Sequence, residues 1–321
     1  MRQDTKKYFD MPESFLNAVS ELGYKEISWE LQEVFDPYYD KMNGHWCANT
    51  SFLNFWSWKE PIPTYYRFSD DKEFIYILFF QRETGRPIAS PCLGFYTEEK
   101  LKKVVRDIKK DFEFMGYPLR FCDITPWMLP YYTGAGIDFI VEDLREIQDY
   151  VFTPEEFKAG LDMPDDRYRY RYFKRKYNYE TVELEPSLTD ECVSFMEEHW
   201  CGDKTCEECT YGCLKKVIEN AVSRFDILRG YGILVRVDGK AAGLCIVTNR
   251  NGLGIYQYKN AINKIKGLNE YLLTESFERY MQNVDMINYT EDMGMESLRY
   301  YKQHMAPSYS LLSKYNLIEK V

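Results

Sequence analysis

The stretch from Tyr231 to Lys259 constrains the fold of this chain most tightly. Two strand-like runs, Tyr231–Val237 and Ala241–Thr248, flank Asp238-Gly239, and Asn251-Gly252 then feeds a third run, Leu253–Lys259. A tight hairpin turn needs positive φ at its central residues. Asp-Gly and Asn-Gly supply that at little cost, so the spacing predicts an antiparallel three-strand meander. Around the meander the period changes. Residues 207–225 place Val217, Ile218, Ala221, Val222 and Phe225 on one helical stripe, and Gly267 opens a helix running to about Gln282. Met286–Tyr289 reads as a strand, Met295–His304 as a helix and Pro307–Lys314 as extended chain. The order is helix, meander, helix, strand, helix, strand, which is an α+β layered domain.

The first half repeats this order more faintly. After a helix over 27–41, Tyr65–Phe68 and Glu73–Phe80 pair as a hairpin, and Pro87–Gly94 extends it. Thr97 is a good N-cap and Glu98 and Glu99 suit a first turn. Leu101, Val104, Val105, Ile108 and Phe112 then share a helix face, which Gly116 ends before the strand Pro118–Cys122. Two domains are expected, 1–152 and 153–321, joined near Thr153-Pro154, each a mixed, mostly antiparallel sheet flanked by helices.

Composition narrows the function classes. The chain has 321 residues, 45% apolar and 29% charged, which is a globular balance with room for two domains. Aromatics reach 17%, with 28 Tyr, suited to half-buried strands and polar grooves. A net charge of −10 argues against broad attachment to nucleic acid or anionic membrane. No run approaches the roughly 18 apolar residues of a membrane span, and the first residues lack a signal-peptide core. The nine cysteines, odd in number and scattered, read as reduced thiols. A cytoplasmic location is expected.

The element order, with the hairpin Val237-Asp238-Gly239-Lys240-Ala241-Ala242-Gly243, resembles the GNAT N-acyltransferase fold. The resemblance implies tandem GNAT-like domains, the first a degenerate copy. In that superfamily a Gln/Arg-x-x-Gly-x-Gly/Ala loop at a helix start holds the pyrophosphate of acyl-CoA, because unpaired amides and the helix dipole favour an anion. Lys264-Ile265-Lys266-Gly267-Leu268-Asn269 occupies that place, with Asn269 where a small residue is usual. Lys264, Lys266, Gly267 and Asn269 are therefore the expected acyl-CoA contacts. The same stretch also reads as an ordinary loop-to-helix junction.

A second resemblance is carried by Asn288-Tyr289-Thr290-Glu291-Asp292-Met293-Gly294, then Leu298-Arg299 and Lys302, Pro307 and Lys314-Tyr315. Upstream, Ala159-Gly160, Arg167, Phe173-Lys174 and Tyr177 add to it. These are similar to the phosphatidylglycerol lysyltransferase C-terminal domain family over roughly residues 150–321, and in layout only before that. Thr290 stands where that family has Glu, and Tyr258-Lys259-Asn260-Ala261 replaces a more acidic segment.

The resemblance implies transfer of an acyl or aminoacyl group from acyl-CoA or aminoacyl-tRNA to an amine or hydroxyl, in a cleft between the lobes. Such chemistry needs a base, an oxyanion donor and an acid for the leaving group. Glu291 and Asp292 are candidates for base or amine anchor, and Tyr300 and Tyr301 for the acid. Lys259, Arg299, Lys302, Arg167 and Arg171 are the substrate-binding candidates. Asp292 also reads as a cap for the helix beginning near Met295, and Arg299 and Lys302 as local ion-pair partners. The expected partners are a small-molecule donor and acceptor, with charged tRNA as a further candidate and no membrane. The competing reading is a binding module that kept the fold and lost the chemistry.

Three other features bear on function. Arg167 to Tyr177 interleaves cations with aromatic rings, as an RNA-binding surface would, yet Tyr170, Phe173 and Tyr177 share one face, as in any amphipathic helix. Cys201, Cys206, Cys209 and Cys213, with His199 nearby, have metal-ligand character. The last three also continue the apolar stripe of the following helix, and no metal is assigned. His45 and His304 sit in no nucleophile motif, so a hydrolase triad has no support.

Overall fold

The computed structural model describes residues 10–42, 47–201, 213–305 and 308–320. Along the chain to Leu144 it forms α1 (Glu13–Glu21), β1 (Lys25–Glu26), α2 (Leu31–Asp40), α3 (Phe52–Ser57), β2 (Thr64–Phe68), β3 (Phe74–Gln81), β4 (Arg86–Ala89), β5 (Leu93–Gly94), α4 (Glu98–Met115), β6 (Arg120–Ile124), α5 (Leu129–Thr133) and β7 (Phe139–Asp143). From Arg145 follow β8 (Asp149–Phe152), α6 (Pro154–Leu161), α7 (Pro164–Lys176), β9 (Tyr179–Glu183), α8 (Thr189–Met196), α9 (Leu214–Ser223), β10 (Tyr231–Val237), β11 (Lys240–Arg250), β12 (Leu253–Ala261), α10 (Leu268–Tyr280), β13 (Met286–Asn288), α11 (Glu296–His304) and β14 (Ser310–Leu312). The last strand is β15 (Tyr315–Glu319).

Two compact units result. One takes the chain to Leu144 together with the segment from Lys314, and the other is drawn from Arg145–Ser313. The first holds a sheet ordered β1-β2-β3-β4-β6-β15-β7, with β5 beside β3. The second holds β9-β10-β11-β12-β13-β8-β14. The two orders correspond position by position. Each sheet is antiparallel except for one parallel pair, β4 with β6 and β12 with β13. Both are mixed, mostly antiparallel sheets flanked by helices.

The sixth position of each sheet departs from the expected division. β15, the last strand of the chain, pairs with β6 and β7 in the first unit. β8, which precedes the expected join, pairs with β13 and β14 in the second, and all four of its residues are buried. Thr153-Pro154 is not a linker. Thr153 and Glu156 form a reciprocal capping box and Pro154 takes the first turn, so the pair starts α6.

Local chemistry explains most elements. Thr97 caps α4 by accepting from the Lys100 amide, Leu101, Val104, Val105, Ile108 and Phe112 are buried, and Gly116 ends the helix at φ 79. Asp238 and Gly239 stand at φ 50 and 78, and Asn251 and Gly252 at 51 and 75, as two-residue hairpin turns require. The predicted helix over 207–225 is described as α9, its earlier residues lying outside the described ones. Pro307, His45, Cys206 and Cys209 also lie outside them.

Candidate functional site

β12 and β13 run side by side only through three pairs, Leu253 with Met286, Gly254 with Ile287 and Ile255 with Asn288. Beyond these they part. β12 continues to Ala261 against β11, where the register shifts: Val247 faces Tyr256 but Ile246 faces Tyr258, leaving Gln257 as the extra residue of a bulge. The chain after β13 goes the other way. The Tyr289 amide donates to the Tyr150 carbonyl at 2.8 Å, and the Tyr150 amide to the Thr290 carbonyl at 3.0 Å, which draws it onto β8.

Past the bulge, three candidates from separate stretches of sequence meet. The Lys259 ammonium donates to Asn269 Oδ1 at 3.0 Å and to the Tyr301 hydroxyl at 3.2 Å. β12 supplies Lys259, the first turn of α10 supplies Asn269, and α11 supplies Tyr301. Lys259 and Tyr301 are both half-buried, the tyrosine packed on the core of this unit.

The turn after β13 is held by two charged side chains. Thr290 and Met293 take φ of 57 and 51, and for β-branched Thr290 that is a conformation needing support from its surroundings. Asn288 Oδ1 accepts from the Thr290 amide at 2.8 Å. Lys302, 4% exposed, donates to the Tyr289 carbonyl, to Thr290 Oγ1 at 3.0 Å and to the Glu291 carbonyl at 2.8 Å. All three of its N–H groups are therefore used. Burial pulls the ammonium down to about 8, against the opposing charges of Glu291 and Asp149.

Asp292 is fully buried. One oxygen accepts from the Gly294 amide at 3.0 Å and from Arg299 Nη2 at 3.2 Å. The other accepts from Tyr150 at 2.9 Å and Arg299 Nε at 3.0 Å, with Arg145 Nη1 3.1 Å away. Burial works against its charge. The bonds from Arg299, Tyr150 and Gly294 and the charge of Arg145 more than offset that, holding the carboxyl down at about 2. Asp292 is thus ion-paired with both Arg299 and Arg145, and its side chain does not cap α11. Sequence reasoning missed Arg145, Tyr150 and Asn288 as parts of this turn. Only Asn288, within the quoted motif, carried a local signal.

The other candidates have surroundings of their own. Tyr300 is 64% exposed and stacked on His304. Glu291 is half-buried beside Lys302. Lys264 is exposed, and Lys266 lies 5.0 Å over the rings of both Tyr168 and Tyr172 of α7. Gly267 sits at φ 88, where a methyl group would overlap the Arg169 carbonyl and press on Phe173. Its glycine is required by the approach of α7. In the first turn of α10, Glu270 is buried and its carboxylate takes a 3.1 Å bond from Arg169. Arg167 and Arg171 line a groove of about 390 Å³ with Lys158, Asp162, Tyr170 and Glu278. Of the four clustered cysteines, Cys201 and Cys213 are described and half-buried. Among the described residues no group of three or more His, Cys, Asp or Glu is placed to hold a metal ion. No described helix is long and apolar enough to cross a membrane.

Comparison with known proteins bears on this geometry. A conserved protein of unknown function from Bacteroides thetaiotaomicron VPI-5482 superposes with a TM-score of 0.79 at 22% identity, over 93% of this chain and 99% of that one. The C-terminal domain of a putative lysylphosphatidylglycerol synthetase from Agrobacterium fabrum gives 0.61 at 13% identity, over 91% and 92%. A tandem GNAT protein from the clavulanic acid biosynthesis pathway gives 0.50 at 11%, over 93% and 98%. At these identities the likeness establishes the fold alone, which is GNAT-like. No curated protein matches the sequence. The model of the family described as phosphatidylglycerol lysyltransferase, C-terminal, matches residues 46–318, well beyond the segment in which the motifs were read. With most of its length covered, the chain belongs to the phosphatidylglycerol lysyltransferase C-terminal family.

Proposed function

We propose that the chain transfers an acyl or aminoacyl group from an activated donor to an amine or hydroxyl, at the place where β12 and β13 part. The observation that carries this reading is the meeting of Lys259, Asn269 and Tyr301 at 3.0 and 3.2 Å. Two N–H groups of Lys259 are spent on Asn269 and Tyr301, and the third is left for the oxygen of an attacked carbonyl. Tyr301 has the role of acid. As the tetrahedral intermediate collapses, its hydroxyl proton passes to the leaving thiolate or ribose oxygen, and the neighbouring ammonium stabilises the phenolate left behind. Glu291 has the role of base, taking the proton lost by the attacking amine or hydroxyl. Asp292, with its oxygens occupied and its carboxyl held at about 2, has a positioning role and not that of a base.

Of the two donors, aminoacyl-tRNA is favoured over acyl-CoA. The start of α10, where a GNAT enzyme rests a pyrophosphate, carries the buried acid Glu270, and the α7 backbone lies against Gly267. The groove at Lys158, Arg167 and Arg171 offers cations to a phosphodiester strand, which would compete there with the carboxylates of Asp162 and Glu278. The test is transfer of labelled amino acid from a charged tRNA pool, with acetyl-CoA as the alternative donor. Label moving from tRNA in the wild type and not in Tyr301→Phe supports the reading. Label moving only from acetyl-CoA would reverse the donor order, and no transfer from either would remove the proposal.

A further inference from the structure

We propose that Lys302 is a positioning residue whose buried ammonium sets the left-handed turn at Thr290 and so fixes where Glu291 and the 293–295 segment stand. This rests on the transfer reading for the purpose of the turn, though not for its existence.

The first support is geometric. The three acceptors of Lys302 come from three consecutive residues, Tyr289, Thr290 and Glu291, so one side chain spans the part of the turn that Asn288 and Asp292 hold only at its ends. Thr290 is β-branched and sits at φ 57, a conformation that does not persist unless its surroundings impose it. The second support is a partial parallel in the first unit. There Asp123, within β6 where the register against β15 shifts, takes φ 57, and fully buried Lys314 lies 3.9 Å from its Oδ1. In both units, then, a buried lysine stands beside a left-handed non-glycine residue on or just past the strand that carries the parallel pairing.

The third support is electrostatic. Glu291, Asp149 and Asp292 face Lys302 with opposite charge, Lys259 faces it with like charge, and the rings of Tyr289 and Tyr150 lie 4.7 and 5.8 Å from its nitrogen. Burial outweighs the carboxylates and lowers the ammonium to about 8. Loss of its proton would take away one of the three bonds and the charge that strengthens the other two. The turn is therefore expected to lose its set geometry as pH rises through that value.

Met293 and Met295, both exposed, report on it. With methyl-labelled methionine, their NMR signals in the wild type are expected to move with a shared midpoint near pH 8. Lys302→Leu removes that midpoint, and Lys302→Arg, which stays charged, holds the signals at their low-pH positions throughout. Should the leucine variant not fold, the arginine variant decides alone. Signals that do not titrate in the wild type, or that titrate alike in the variants, would overturn the proposal. Donor binding in the same samples separates the two ideas. A midpoint without donor binding removes the transfer reading and keeps this one, and donor binding without a midpoint does the reverse.

Discussion

Lys259 and Tyr301 are both half-buried, so each can be replaced without opening a large cavity. Lys259→Ala is expected to lower transfer roughly 10²- to 10³-fold, the usual effect of losing one oxyanion donor, with little change in Tm. Tyr300→Phe, at a ring 64% exposed, is expected to leave activity unchanged. Asp292 behaves differently. Its folded value of about 2 lies below the ordinary 3.8, so the stability it contributes is present above about pH 4 and is lost as pH falls toward 2. That contribution is roughly 2 kcal/mol. Acid unfolding of Asp292→Asn should therefore be flatter than wild type across that window. A variant with an unchanged acid limb would contradict the buried ion pair. The motif around Asp292 was legible in the sequence but its role was not, because Tyr150, a principal partner, is 142 positions away.

At the scale of elements, what the sequence revealed was what local chemistry decides. The Asp238-Gly239 and Asn251-Gly252 turns, the Thr97 cap and the Gly116 stop all stand where side-chain and backbone preferences put them. Gly267 is an instructive mixture. The pattern marked it as an acyl-CoA contact, whereas the structure gives it a packing reason, the close approach of α7, which no local signal announces. Gly267→Ala is expected to destabilise by about 1–3 kcal/mol, since it combines a positive φ with an overlap against backbone. Thermal unfolding would measure it, and a neutral result would mean that α7 does not pack there.

At the scale of the whole chain, the expected boundary at 152/153 fails for a reason that periodicity cannot carry. Which sheet a strand joins is set by long-range pairing, and β8 and β15 each fill the sixth position of the sheet opposite to their place in the chain order. Residues 1–152 expressed alone lack β15, which leaves both β6 and β7 with an unpaired edge. That fragment is expected to lose cooperative unfolding, and adding 314–320 through a flexible linker should restore it. A cooperative melt of 1–152 by itself would show that β15 is dispensable.

The central claim is that the Lys259, Asn269 and Tyr301 cluster is where a donor is engaged. Thermal unfolding of wild type and Lys259→Ala, each with charged tRNA, uncharged tRNA, acetyl-CoA and CoA, tests it most directly. A rise in Tm with charged tRNA that shrinks in Lys259→Ala is the expected result. A rise of equal size in both proteins, or no rise with any donor, would contradict the account.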